Sequence, residues 1–138
     1  MGIIKNSKPI FVKKDSTFPE VNFSLSQDLR EKLDITNDMM ENVAVTFSMI
    51  DAETGIYRIA NKEAKITIKK NIYQHLDDNL YELKYRFTEK DTSKIGIFFG
   101  EFVIDFLDEN FGCGKLKLPL DGFINIIIQD SITKTTIL

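Results

Sequence analysis

Apolar and polar side chains alternate with a period of two in segment after segment of this chain, and that alternation most limits what it can fold into. Val21, Phe23 and Leu25 alternate with Asn22 and Ser24. Successive side chains of a strand point to opposite faces, so such a segment buries one face and wets the other. Val43, Val45, Phe47 and Met49 repeat the pattern, followed by a turn over 51–55 and a short strand from Ile56 to Ala60. Ala64, Ile66 and Ile68 then alternate with Lys65, Thr67 and Lys69, whose lysines mark a solvated face or edge. Tyr81, Leu83, Tyr85 and Phe87 alternate with Glu82, Lys84 and Arg86. Phe98, Gly100, Phe102, Ile104 and Phe106 form the apolar face of a long strand whose other face is mixed. Gly100 within it points to a bulge or a close backbone approach. Leu116 and Leu118 lead through Pro119 and Asp121-Gly122 to Phe123–Ile128, a run apolar on both faces that predicts a central strand.

Short strands of this kind, with turn signals about every 8 to 12 residues, predict an all-β, immunoglobulin-like sandwich of about seven to eight antiparallel strands, with closure into a barrel as the other reading. Ser26 to Leu33 is the one helical candidate, with a capping-type serine and an i, i+4 pair in Leu29 and Leu33. It is too short to be stable alone and reads as a helical turn in a connection. The sandwich is expected over residues 18–131, with 1–17 an N-terminal arm or first strand and 132–138 a C-terminal tail. Ile3, Ile4, Ile10, Phe11, Ile137 and Leu138 bring apolar surface to those ends and are the candidate partner interface. Ile10 and Phe11 have an equal claim to being part of a first strand.

A formal charge of −3 and a pI near 5.2 give no footprint for nucleic acid, which calls for clustered Lys and Arg. No stretch approaches the roughly 20 apolar residues of a membrane helix. One cysteine, Cys113, forms no internal disulfide, so the fold suits a reducing cytoplasm. Catalytic raw material is thin: His75, the lone histidine, stands beside Asp77 and Asp78, and Cys113 lies between Gly112 and Gly114. Zinc lacks its ligands. Asp105, Asp108 and Glu109, and separately Asp51 and Glu53, are acidic clusters that a calcium ion could use, although their spacing matches no EF-hand. The reading is of a protein that is not an enzyme and carries no cofactor or metal.

The order of the landmarks carries a resemblance. The strand Val21–Leu25 is followed by Leu33-Asp34-Ile35-Thr36, by Val45-Thr46-Phe47-Ser48-Met49, and by Asp51 with Thr54-Gly55. Later, Tyr85-Arg86-Phe87 leads to Asp91-Thr92, Gly96, Phe98 and Glu101-Phe102, then to Leu118-Pro119 and an Ile-rich strand. From Val21 to Ser131 this succession resembles the N-terminal domain of phage baseplate upper proteins and its relatives, immunoglobulin-like modules of tail, baseplate and tail-fibre proteins. The resemblance implies that Asp91-Thr92 and Gly96 shape the connection before the long strand, and that Leu118-Pro119 starts the crossing to the last one. Phe98 stands where relatives usually offer Tyr, so a hydroxyl bond there is lost, and the loop from Asn71 to Asn79 is long.

The function implied is a structural protein of a tailed-phage virion, a tail or baseplate adaptor or a capsid decoration. It would be made in the host cytoplasm and act through contacts with other virion proteins or with copies of itself, not with nucleic acid or membrane. The alternative is a carbohydrate-binding β-sandwich for host-surface attachment, with Tyr57, Tyr73 and Phe99 as its aromatic candidates and the lack of Trp against it. Removing residues 1–8 is expected to leave the domain folded while weakening incorporation into particles, measured by quantifying the protein in purified virions.

Overall fold

In the computed structural model, which describes residues 8–70 and 79–132, the alternating segments form nine strands. They are β1 (Ile10–Lys13), β2 (Val21–Leu25), β3 (Val43–Asp51), β4 (Tyr57–Glu63), β5 (Lys65–Lys70), β6 (Asn79–Tyr85), β7 (Gly96–Phe106), β8 (Gly114–Leu118) and β9 (Ile124–Gln129). One sheet has six strands in the order β1-β9-β7-β3-β4, with β8 also paired to β7, and the other has three in the order β2-β6-β5. Sheets of six and three strands packed on one another make a sandwich. The expected all-β sandwich is therefore the architecture. Two details differ from expectation: the described residues alone form nine strands, and β1 runs parallel to β9. Ile10 and Phe11 lie in β1, whose pairing runs from Ile10 with Ile126 to Lys13 with Gln129. Ile3, Ile4, Ile137 and Leu138 lie outside the described residues, as does most of the loop before β6.

The helical candidate is α1 (Gln27–Lys32), capped by the Ser26 side chain, which accepts from the Leu29 backbone N–H at 3.2 Å. Short 3-10 turns follow at Met39–Glu41 and Glu109–Phe111. Among the described residues no helix is long and apolar enough to cross a membrane. α1 buries Arg30, which is only 4% exposed. Its guanidinium donates to Asn37 Oδ1 at 2.7 Å and to the Asn79 carbonyl, and lies 4.8 Å over the Tyr81 ring. The helix is thus tied to β6 by a charge whose stem and face lie against an aromatic ring.

Where the sheets meet, Phe47 from β3 stacks on Tyr85 from β6 at 4.8 Å and packs against Phe102 from β7 at 4.9 Å. Phe87, just beyond β6, adds an edge contact to Tyr85 at 5.9 Å. Gly100 leaves room for this cluster. A Cβ at that position would lie 2.7 Å from Phe47 Cζ and 3.1 Å from Ile126 Cδ1, so the close approach foreseen for this glycine is real. The β3 and β7 register passes through Gly100 without a bulge. Because the Phe47 ring is fixed on both sides, Gly100→Ala is expected to destabilise the protein by about 1–3 kcal/mol. Urea unfolding followed by circular dichroism measures this as a lower midpoint at unchanged slope.

Candidate functional site: a groove on the outer face of the large sheet

The connection from β6 to β7 crosses between the sheets and is fixed by a buried polar cluster. Asp91 is 2% exposed and accepts from the Tyr85 hydroxyl at 2.6 Å and the Thr88 backbone N–H at 2.9 Å through one oxygen, and from Lys62 Nζ at 3.2 Å through the other. The Thr88 hydroxyl in turn accepts from the Asp91 backbone N–H at 3.2 Å. Thr92, also buried, donates through its hydroxyl to the Ser16 carbonyl at 2.8 Å, and Arg58 on β4 donates to the Lys90 carbonyl at 2.6 Å. Asp91-Thr92 therefore shape this connection, as the resemblance implies. Burial alone would raise the Asp91 carboxyl. The Thr88 N–H, the Tyr85 hydroxyl and the Lys62 ammonium outweigh it and hold the group below the usual carboxylate range. Tyr85 is pushed up, first by burial and then by donating to that carboxylate.

The acidic clusters are occupied structurally. Asp51 Oδ1 accepts from the backbone N–H groups of Glu53 and Thr54 at 2.9 and 3.2 Å, and Oδ2 from Lys94 at 3.1 Å. Those contacts, the Glu53 N–H foremost, hold its carboxyl low. Asp105 pairs with Lys115 at 3.7 Å, and Asp108 accepts from the Asn110 N–H at 2.9 Å. Among the described residues no three His, Cys, Asp or Glu side chains are grouped as a metal would need. Cys113 is exposed, with its sulfur 3.9 Å from the Leu107 carbonyl, and His75 lies outside the described residues.

A concave site does form, on the outer face of the six-stranded sheet, and two breaks in strand pairing create it. At its centre Ser48 on β3 faces Glu101 on β7. On one flank the β3–β4 register jumps from Phe47 with Lys62 to Met49 with Ile59, so Ala60 and Asn61 bulge opposite Ser48. Asn61 takes a left-handed φ of 50°, donates its N–H to Ser48 Oγ at 2.9 Å, and accepts from that hydroxyl through Oδ1 at 3.2 Å. On the other flank β8 leaves β7 at Leu118, opposite Phe102, and β9 rejoins it at Ile124, opposite Gly100. Residues 119–123 connect the two strands opposite the Glu101 level, and Phe123 lines the groove. Leu118-Pro119 thus begins the passage to the last strand as the resemblance implies, and β9 lies between β1 and β7 rather than at an edge.

The resulting groove has a volume of about 570 Å³. Tyr57 and Asn61 line one side, Phe123 and Lys117 the other, and Ser48, Glu101, Thr46 and Val103 the floor. Phe99 and Phe123 stack with centroids 5.4 Å apart and planes 12° apart, and Tyr57 is 63% exposed. Two of the three aromatic candidates, Tyr57 and Phe99, are thus brought to one groove, while Tyr73 lies outside the described residues. Phe123, Ser48, Asn61 and Glu101 are additions that strand alternation alone does not single out. Glu101 and Asp105 stand four residues apart on one strand, about 13 Å, beyond the roughly 5–9.5 Å of a glycosidase carboxylate pair. Compared with protein-family models, with curated proteins and with solved structures, the chain matches none.

Asp91→Asn is expected to cost about 2–4 kcal/mol, since buried donors lose their ionised acceptor. Because the folded pKa of Asp91 lies below its unfolded value, its contribution is complete above the unfolded value of about 3.9 and lost as pH falls through the lower folded one. The variant should accordingly show a flatter decline in stability on acidification than the parent, read from thermal melts across that range.

Proposed function

We propose that the protein is a non-enzymatic structural component of a tailed-phage virion, a tail or baseplate adaptor or a capsid decoration, that works by contact with neighbouring virion proteins. The observation that carries this reading is an apolar row across one end of the large sheet's outer face. Phe11 on β1 faces Ile127 on β9, and Ile127 faces Ile97 on β7. Phe11 is 54% and Ile97 53% exposed. A sandwich standing alone in water keeps its outer faces polar, and contiguous apolar surface there is what a partner protein covers.

The row gives Phe11 a role in the partner surface while it remains part of a strand, so the two readings of that residue meet. The resemblance over Val21–Ser131 supplies the kind of assembly, and the ordered Asp91 crossing gives the domain the rigidity a spacer in a particle requires. Phe11→Ser combined with Ile97→Ser cuts the row back to Ile127 without touching the core. The double variant is expected to melt within a few degrees of the parent yet be depleted from purified particles, scored by mass spectrometry of virions complemented with each form. Equal abundance of the folded variant and the parent in particles would sink the proposal.

A further inference from the structure

We propose that the groove between Tyr57 and Phe123 is a saccharide site that takes a short run of neutral pyranose rings. This goes beyond the virion reading and does not depend on it. A pyranose offers an apolar C–H face and a rim of hydroxyls, so a site for it needs aromatic surface beside hydrogen-bonding groups that are not already spent. The groove supplies both.

Tyr57 projects from one flank, and the stacked pair Phe99 and Phe123 stands on the other. Tyr57 faces Ile50 on β3, which faces Phe99 on β7, so these two rings stand two strand spacings apart, about 10 Å, with Phe123 stacked on Phe99. That span suits about two sugar rings. Between the flanks Glu101 is partly buried, and among the described residues its carboxylate has no ion-pair or hydrogen-bond partner. It presents two acceptors to a pair of adjacent sugar hydroxyls.

Asn61 is the second polar contact. Its bulge and left-handed backbone aim it at Ser48 on the groove floor, where its side-chain amide N–H groups remain available for a sugar oxygen. A non-glycine residue held in that conformation next to a groove is the kind of backbone irregularity that re-aims a side chain toward a ligand. Glu101 at the centre and Asp105, paired with Lys115, offset the positive charge of Lys115 and Lys117, so the lining carries no net positive charge to favour acidic over neutral sugars. An extended peptide suits the floor less well, because the main-chain groups of β3 and β7 there are consumed in pairing with each other and offer no ladder.

Amide chemical shifts of the ¹⁵N-labelled full chain, followed during titration with maltotriose, cellotriose and chitotriose, test the site. At least one trisaccharide is expected to bind with a dissociation constant of about 1 mM or tighter, moving Ser48, Asn61, Phe99 and Glu101 together. Tyr57→Ala and Glu101→Gln, both at positions whose side chains the core does not use, are each expected to weaken that binding about tenfold while the unliganded spectrum stays folded. The proposal is overturned if none of the three sugars shifts these residues, if the shifts fall elsewhere, or if both variants bind as the parent does. Equal abundance of the Phe11→Ser/Ile97→Ser double variant and the parent in particles overturns the virion reading and leaves sugar binding, measured on the parent, untouched.

Discussion

Tyr85 is the side chain through which the two layers hold one another. Its ring lies against Phe47 from the opposite sheet, and its hydroxyl reaches past that contact to the Asp91 carboxylate in the crossing connection. Apolar stacking and a charge-assisted hydrogen bond are thus made by one residue at a single depth in the sandwich. Everything arranged around it follows: Gly100 is small so that Phe47 can lie flat, Lys62 and the Thr88 N–H complete the carboxylate, and Arg58 and Thr92 fasten the same connection to β4 and to the segment before β2. A stacked ring alone would allow the sheets to slide. The buried carboxylate adds directional bonds that fix their relative position.

The strands were legible because their residues face a core on one side only. Val45, Phe47 and Met49, or Tyr81, Leu83 and Tyr85, could alternate with polar neighbours for no other reason, and all six are buried. Gly100 was legible too, since an apolar strand gives up a side chain only where something else occupies the space. β1 was harder to read: four residues from Ile10 to Lys13 show little alternation, and their partner strand is more than a hundred residues away in sequence. The burial of Arg30 leaves no mark in the sequence. A charged residue on a short helix suggests solvent, and only the tertiary placement of Tyr81, Asn37 and the Asn79 carbonyl makes burial tolerable.

The groove was the least legible feature, for a physical reason. Phe99 and Tyr57 could be recognised as outward aromatics from their alternation, but a groove depends on how neighbouring strands are registered. The bulge at Asn61 and the loop over 119–123 both coincide with the Ser48 and Glu101 level, and neither break leaves a periodic mark in its own segment. Regular pairing there would have produced a flat face. Two irregularities at one level, on opposite sides of the same central pair of strands, raise both flanks and leave the middle low. Local pattern gives the residues of a sheet face, whereas the shape of that face is set by coincidences between strands distant in sequence.

The parallel pairing of β1 with β9 has a mechanical meaning. The chain enters the domain at the pole where Ile10 meets Ile126 and departs at the pole where Lys13 meets Gln129. Tension drawn between those two points would pull the strands lengthwise past each other. Their hydrogen bonds would then share the load together, instead of opening one after another as in a peeled hairpin. The parallel pair would resist such a pull in shear, which is the stronger of the two geometries.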